Sequence, residues 1–451
     1  MYDLLIIGGG VTGAGAARDA ALRGLKTLLL ERAEPGGGTT AASTHLIHGG
    51  VRYLLYDRLT THASCWDSGH IVRTSGELLT RLPILWPVYE GHKRGLELVE
   101  TLLEAYDRFQ PMKYGRPHLR LTPEAALRAV PGLAPEGLKG ALVFDEWWVD
   151  AQALAGRTLE SARRAGAEAF TGSPVDGLIV ENGRVAGARC GAREFRAKVT
   201  LNAAGPWVDK VARLAGASMP LRLMKGTHLI YEDKALTPVG LLLEAEDRGR
   251  YVFVVPSPLG TWVGPTDLPG PEDPDAVRTG EDEIGYLTRS VKRYFPRWPE
   301  RHARTIVGSR PIIGQPGGEK LLSRDFEIFD HKDREGLDGF ITVGGGKMSD
   351  YRVMAEAAVD AACRKLGVDA ACSTHLTTLS GAPVGEIPAW PHPDPALKRF
   401  LRGQPRLREL HALAYLGADL ARHVGRRLSG AAAPQDYDAF ARRYDLKLSP
   451  Q

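Results

Sequence analysis

Residues 2–31, YDLLIIGGGVTGAGAARDAALRGLKTLLLE, decide the fold. Tyr2–Ile7 is a short apolar run, too brief for a helix and suited to a strand buried on both faces. From Val11 to Arg23 small and apolar residues recur at helical spacing, with Ala14, Ala17 and Ala21 on one side, and Gly24 ends the segment. Lys26–Leu30 is a second apolar strand, closed by Glu31. Strand, glycine turn, helix, strand and acid within about thirty residues predict a parallel βαβ unit. Gly8, Gly10 and Gly13 form GxGxxG, and each has a physical task. Gly8 permits the tight turn, Gly10 lets the main chain approach a pyrophosphate, and Gly13 lets the helix pack close to the strand. The amides at the helix N-terminus suit phosphate. Glu31, eighteen residues past Gly13, is placed to accept hydrogen bonds from a ribose hydroxyl pair, and its charge disfavours a 2′-phosphate and hence NADP.

The whole chain has 451 residues, roughly three domains' worth at ~150 each. With 43% hydrophobic and 25% charged residues the composition is ordinary and globular, which excludes a disordered, collagen-like or coiled-coil chain. A net charge of +4 is too mild to suggest a nucleic-acid partner. Four cysteines without a CxxC argue against a disulfide scaffold, a zinc ribbon or a thioredoxin-like site; free thiols and no metal centre are expected. No run approaches the ~18–20 apolar residues of a membrane span, and the N-terminus lacks the features of a signal peptide. A cytoplasmic location is expected, with peripheral contact at the inner face of the cell membrane left open, as is oligomeric state.

Further along, Glu34–Gly50 reads as an extended loop, Tyr89–Phe109 as an amphipathic helix, and Ala151–Ala165 as another helix. Asn182-Gly183 between apolar alternations predicts a hairpin over Leu178–Arg189. Val199–Ala204 is a strand running into Gly205, residues 221–268 look like antiparallel strands, and Glu281–Tyr294 is a polar helix. Phe340–Val343 is a last buried strand, followed by Gly344-Gly345-Gly346 and a helix from Ser349 to Leu366. A second helix N-terminus after a second glycine cluster could stabilise charge on a reduced isoalloxazine, which favours FAD, held at both ends, over NAD. The predicted fold class is α/β: a discontinuous Rossmann-like FAD-binding domain (1–80, 145–217 and 318–380), an antiparallel β-rich substrate domain (81–144 and 218–317) and a helical C-terminal region (381–451).

IIGGGVTGAGAARDAALRG, STHLIHGGVRYL, WWVDAQAL, NAAGPWVD, KGTHLI, VGPTD, GSRPIIG and LDGFITVGGGKMSDYRVMAEAA occur in that order between about residues 1 and 380. In this the chain resembles the FAD-dependent glycerol-3-phosphate dehydrogenases, of the D-amino-acid-oxidase-like flavoproteins. The resemblance implies that Gly8, Gly10, Gly13, Glu31 and Arg32 hold the ADP half of FAD. Thr39, Thr40, Ser43 and Thr44 would follow the pyrophosphate and ribityl chain. Ala204 and Gly205 would pass the adenosine end, and Gly345, Gly346, Lys347 and Met348 would meet the flavin. Arg52, Tyr53, His228, Arg310 and Lys347 would surround the substrate, with Thr266 and Asp267 nearby. The implied reaction oxidises sn-glycerol 3-phosphate to dihydroxyacetone phosphate and passes electrons to a quinone or oxygen.

The residue chemistry fits that set. A buried phosphate needs paired cations, and arginine offers a bidentate fork. His228 is the expected base, as an imidazole poised near neutral pH. Lys347 or Arg310 would stabilise the developing alkoxide. A lysine at a helix start opposes the helix dipole, so Lys347 calls for an anionic partner. The chain departs from the family pattern at His45, where lysine is frequent, and at Asp350, expected to cap the following helix. Two other readings stand beside this one: a related flavoenzyme acting on an amine, amino acid or 2-hydroxy acid, and a flavin-binding interaction protein without turnover.

Overall fold

A computed structural model describes residues 1–232, 236–247, 249–313, 325–386, 390–392, 394–402, 404–429 and 433–445; the expected boundary at 317/318 lies outside them. The opening stretch folds as its pattern dictates. Strand β1 (Tyr2–Ile7) pairs in parallel with β2 (Thr27–Leu30), and helix α1 (Val11–Leu22) crosses between them. Leu4, Leu5, Ile6, Leu28 and Leu29 are fully buried, as an apolar run covered on both faces must be. Close packing of small residues sets the helix layer: a Cβ on Gly15 would lie 3.1 Å from Ala355 and Tyr351 on the helix Tyr351–Leu366. A Cβ on Gly13 would fall 1.9 Å from the Gly8 carbonyl oxygen, so only glycine brings α1 this near β1.

The other flank of β1 pairs in parallel with Arg193–Asn202, which pairs in parallel with Phe340–Gly345. The first sheet therefore runs Phe326–Asp330, Phe340–Gly345, Arg193–Asn202, β1, β2, Glu168–Phe170, with a hairpin attached. That hairpin joins Gly177–Glu181 to Arg184–Cys190 through Asn182 (φ 51°) and Gly183 (φ 73°), the paired left-handed residues that the Asn-Gly dipeptide favours.

The second sheet has ten strands: Leu268–Pro269, Leu221–Tyr231, Gly260–Gly264, Tyr251–Ser257, Gly240–Glu244, Leu79–Tyr89, Leu138–Val149 and Leu46–Ile47 in order, with two more at its sides. It is antiparallel except where Gly240–Leu241 meets Ile84–Leu85. It takes Leu46–Ile47 from the stretch expected in the cofactor domain. The helix expected over Tyr89–Phe109 is instead the end of an eleven-residue strand, Leu79–Tyr89, followed by a helix over Leu96–Asp107. Pro83 and Pro87 disguise this strand, whose Leu82, Ile84, Trp86 and Val88 are buried, and the helix begins only after Gly91 and Gly95. Its stripe of Val99, Leu103 and Tyr106 does pack into the core. The C-terminal region is helical over Pro395–Arg402, Pro405–Leu428 and Tyr437–Tyr444. Among the described residues no helix is long and apolar enough to cross a membrane. Cys65, Cys190, Cys363 and Cys372 are free thiols.

Candidate active site

One cavity of about 1150 Å³ opens where the carboxyl ends of β1 and β2 face the second sheet. Ligands in open α/β folds bind outside the carboxyl ends of the strands. Gly8 sits at φ +105°, and a Cβ there would lie 2.7 Å from the Ala203 carbonyl oxygen, so the turn accepts no other residue without strain. Gly10 is the N-cap of α1 and, as glycine, brings no capping side chain of its own; no acid lies in the first turn, so the positive end of the helix faces the cavity. Glu31 is fixed at the end of β2: Gly9 N–H donates to its Oε2 at 2.5 Å and Ala33 N–H to its Oε1 at 2.9 Å. Arg32 lies 3.9 Å over the Trp207 ring and pairs with Asp275 at 3.2 Å.

The loop after β2 is stitched to both sheets. Thr39 Oγ1 donates to Ser309 O at 2.6 Å, Val11 N–H donates to Thr40 Oγ1 at 3.3 Å, and Thr44 Oγ1 lies 3.1 Å from His228 Nε2. His45 is buried as a strut and is not among the residues that line the cavity. Its Nδ1 lies 3.1 Å from both Ala151 N and Val149 O, and its Nε2 lies 3.2 Å from Ala41 O, so the ring ties the loop to the start of the helix Ala151–Arg164. Burial holds this ring neutral, and it tilts against Trp262 at 4.4 Å.

Gly345 (φ +75°), Gly346 (φ +87°), Lys347 and Met348 bring the second glycine cluster to the same cavity, which is thus lined by both Glu31 and Lys347. The Lys347 side chain is only 9% exposed, donates to Ser64 Oγ, and stands 4.9 Å from the Tyr53 ring centroid. Asp350 does not cap the helix through its side chain as expected; its Oδ2 pairs with Lys347 Nζ at 3.2 Å. Burial would depress the Lys347 pKa, but Asp350 and Tyr53 outweigh it and raise it, so the ammonium stays charged.

The second sheet supplies His228, Asp267 and Arg310 to the cavity. Arg310 pairs with Asp267 at 3.4 Å and donates to Thr266 O at 2.5 Å. A Cβ on Gly226 would lie 2.5 Å from Arg310 Nη2, so the glycine of the KGTH motif makes room for the guanidinium. Thr266 does not line the cavity. It is buried behind Arg310, with its hydroxyl donating to Glu283 at 2.7 Å. His228 also differs from expectation. Burial, then Arg310 and His45, push its pKa down to about 3, so the ring is firmly neutral rather than poised near pH 7.

The sequence reading missed a buried chain of groups beneath the loop His48–Tyr53. Gly49 N–H donates to Tyr106 Oη at 2.9 Å, and Tyr106 donates to Glu146 Oε1 at 2.7 Å. Glu146 lines the cavity and is paired with the fully buried Lys113. An acid inside the apolar run of Leu138–Val149 was the available signal.

Residues 3–349 match the FAD-dependent oxidoreductase family. The chain belongs to that family. This flavoenzyme is also 32% identical over 405 residues to the aerobic glycerol-3-phosphate dehydrogenase of Staphylococcus haemolyticus, covering 85% of this chain and 72% of the relative. Its fold superposes on the glycerol-3-phosphate dehydrogenase of Bacillus halodurans complexed with FAD, with TM-score 0.67, 26% identity, and 95% and 80% of the two chains covered. An FAD-bound L-alpha-glycerophosphate oxidase from Mycoplasma pneumoniae shares the fold at TM-score 0.63 and 20% identity, covering 82% of this chain and 96% of that one. FAD is the cofactor of this flavoenzyme, and the donors present fit it. A glycine cradle at an open helix end, an anchored carboxylate and a distant cationic loop share one continuous space.

Proposed function

We propose that the flavoenzyme oxidises sn-glycerol 3-phosphate at its secondary alcohol to dihydroxyacetone phosphate, with a quinone or oxygen as final acceptor. The observation that carries this reading is that Arg52, Arg310 and Lys347 share one cavity with the Gly8–Gly10 cradle. A dinucleotide site alone needs no such set of cations, whereas a bound phosphate ester does. The name of the Staphylococcus haemolyticus relative supports the same substrate.

When bound, FAD supplies the acceptor for the hydride. Gly8, Gly10 and the end of α1 hold the pyrophosphate, and Gly13 keeps that helix in place. Glu31 takes the ribose hydroxyls, while Arg32, Ala204 and Gly205 flank the adenosine. Thr39, Thr40, Ser43 and Thr44 would hold the chain between, and Gly345, Gly346 and Met348 would hold the ring end. Arg52 and Tyr53 orient the ester, and Arg310, steadied by Asp267 and Thr266, faces the developing oxyanion with Lys347. His228 accepts the hydroxyl proton at Nε2, the atom beside Thr44. Its low basicity in the free site stems in part from Arg310, and an arriving dianion offsets that charge and strengthens the base. Peripheral contact with the inner membrane face belongs to the same proposal. The exposed Leu407 and Leu410 toward the start of the helix Pro405–Leu428, and Val424 and Leu428 near Arg426 and Arg427 at its end, support it.

Anaerobic titration of the yellow protein tests the substrate. Glycerol 3-phosphate should bleach the flavin band at concentrations where glycerol, sarcosine and 2-hydroxyglutarate do not. Absence of bleaching by the phosphate ester overturns the proposal.

A further inference from the structure

Four of the cations that line the cavity differ in what holds them. Arg310 is held by Asp267, and Lys347 by Asp350. Arg52 and Arg94 also line the cavity, yet neither has a carboxylate within ion-pair range among the described residues. Arg94 comes from the turn between the strand Leu79–Tyr89 and the helix Leu96–Asp107, outside every motif of the sequence reading.

Both arginines meet one side chain. Arg94 Nη1 donates to Tyr251 Oη at 2.9 Å, with its Cζ 5.5 Å from the ring centroid, and the Arg52 Cζ lies 5.8 Å from the same centroid. The ring is immobilised by burial, being only 6% exposed, and packs edge-on against Trp86 at 5.0 Å. Two half-buried guanidinium groups gathered on one phenol repel each other. Part of Tyr251's attraction for them offsets this, through its hydroxyl and its ring face. A doubly charged anion between them would convert the repulsion into two charge-assisted contacts, and the planar forks match phosphate oxygens.

We infer that Arg94 and Arg52, set on Tyr251, form a two-arginine clamp for the phosphate group of the substrate, and that Arg94 determines selectivity for phosphorylated over plain alcohols. This rests on the phosphate-ester reading of the site. The cationic row then runs from Lys347 over Tyr53 to Arg52 and on to Arg94. It places the alcohol end of the substrate near Lys347 and its phosphate end near Tyr251.

The test uses the FAD-loaded enzyme and the variants Arg94→Gln and Arg94→Lys. Three quantities are measured: flavin content, the ratio of kcat/KM for glycerol 3-phosphate to that for glycerol, and calorimetric binding of inorganic phosphate. In Arg94→Gln the flavin should be retained, the ratio should fall ~30- to 100-fold, and phosphate binding should weaken at least ~10-fold. Arg94→Lys should recover only part of the loss, because an ammonium lacks the fork. An unchanged ratio, or an equal fall for both alcohols, overturns the clamp, as does loss of FAD, which would place Arg94 at the cofactor. Should the wild type fail to be reduced by glycerol 3-phosphate while its phosphate binding still depends on Arg94, the substrate reading falls and the anion clamp stands. Phosphate binding indifferent to Arg94 removes the clamp whatever the substrate.

Discussion

Replacing Lys113 by methionine tests the buried chain under the flavin-facing loop. Lys113 is fully buried and its ammonium is shared between Glu146 and the Asp145 carbonyl, at 2.5 Å from the latter. Methionine keeps the volume and removes the charge, leaving Glu146 buried with only the Tyr106 hydroxyl. Breaking one side of a buried pair costs ~3–5 kcal/mol. Burial already raises the Glu146 pKa, with Lys113 the main opposing influence, so the variant raises it further. A carboxyl with a raised folded pKa favours the folded state at low pH, below its unfolded value of ~4.3, and that contribution is lost as pH rises through the folded value. The destabilisation should therefore grow with pH above ~4.3, by up to ~1.4 kcal/mol per unit, until the raised folded value is passed. Urea unfolding followed by flavin fluorescence at several pH values measures it. Adding Glu146→Leu to Lys113→Met should restore much of the loss, since no uncompensated charge remains. A pH-independent effect, or a double variant no better than the single one, would refute the reasoning.

Gly8→Ala should yield colourless protein. Its φ of +105° and the 2.7 Å approach to Ala203 O impose ~1–3 kcal/mol of backbone strain before any overlap, and visible absorbance after purification reads the outcome. Arg310→Ala should raise the apparent KM for glycerol 3-phosphate or abolish turnover while FAD stays bound; loss of FAD would place this guanidinium elsewhere. His228, pushed down to about 3, should show no titration between pH 5 and 8 when its ¹⁵N imidazole resonance is assigned by comparison with His228→Asn. A midpoint near 6.5 contradicts the buried, Arg310-flanked environment. By linkage, the stability gained from its neutral ring is complete above ~6.5 and declines as pH falls toward 3.

The cofactor half was legible because its requirements are local. A glycine at φ +105°, an apolar strand and an acid at its end are dictated within thirty residues, and each leaves its own mark. The second glycine cluster was legible for the same reason. Tyr89 was misread because Pro83 and Pro87 look like breakers, while the neighbouring strands that tolerate them lie far along the chain. Lys113, Tyr106 and Glu146 come from three separate elements and satisfy one another only in three dimensions. Thr266 sits in the right motif but turns into the protein, because the carboxylate of Glu283 is there to receive it. His228 carries the expected identity with an unexpected basicity, since burial and a neighbouring guanidinium are properties of its surroundings.

The central strand of the first sheet, residues 2–7, is flanked on one side by residues 193–202, and these by residues 340–345. During synthesis residues 2–7 must wait, one edge unsatisfied, until residues 193–202 are made, and these in turn wait for residues 340–345. Riboflavin-derived cargo therefore has no finished berth on a nascent polypeptide, and loading is a post-translational event. Interrupted translation products would expose a sticky apolar ribbon, making them clients for chaperones and proteases rather than half-active enzyme.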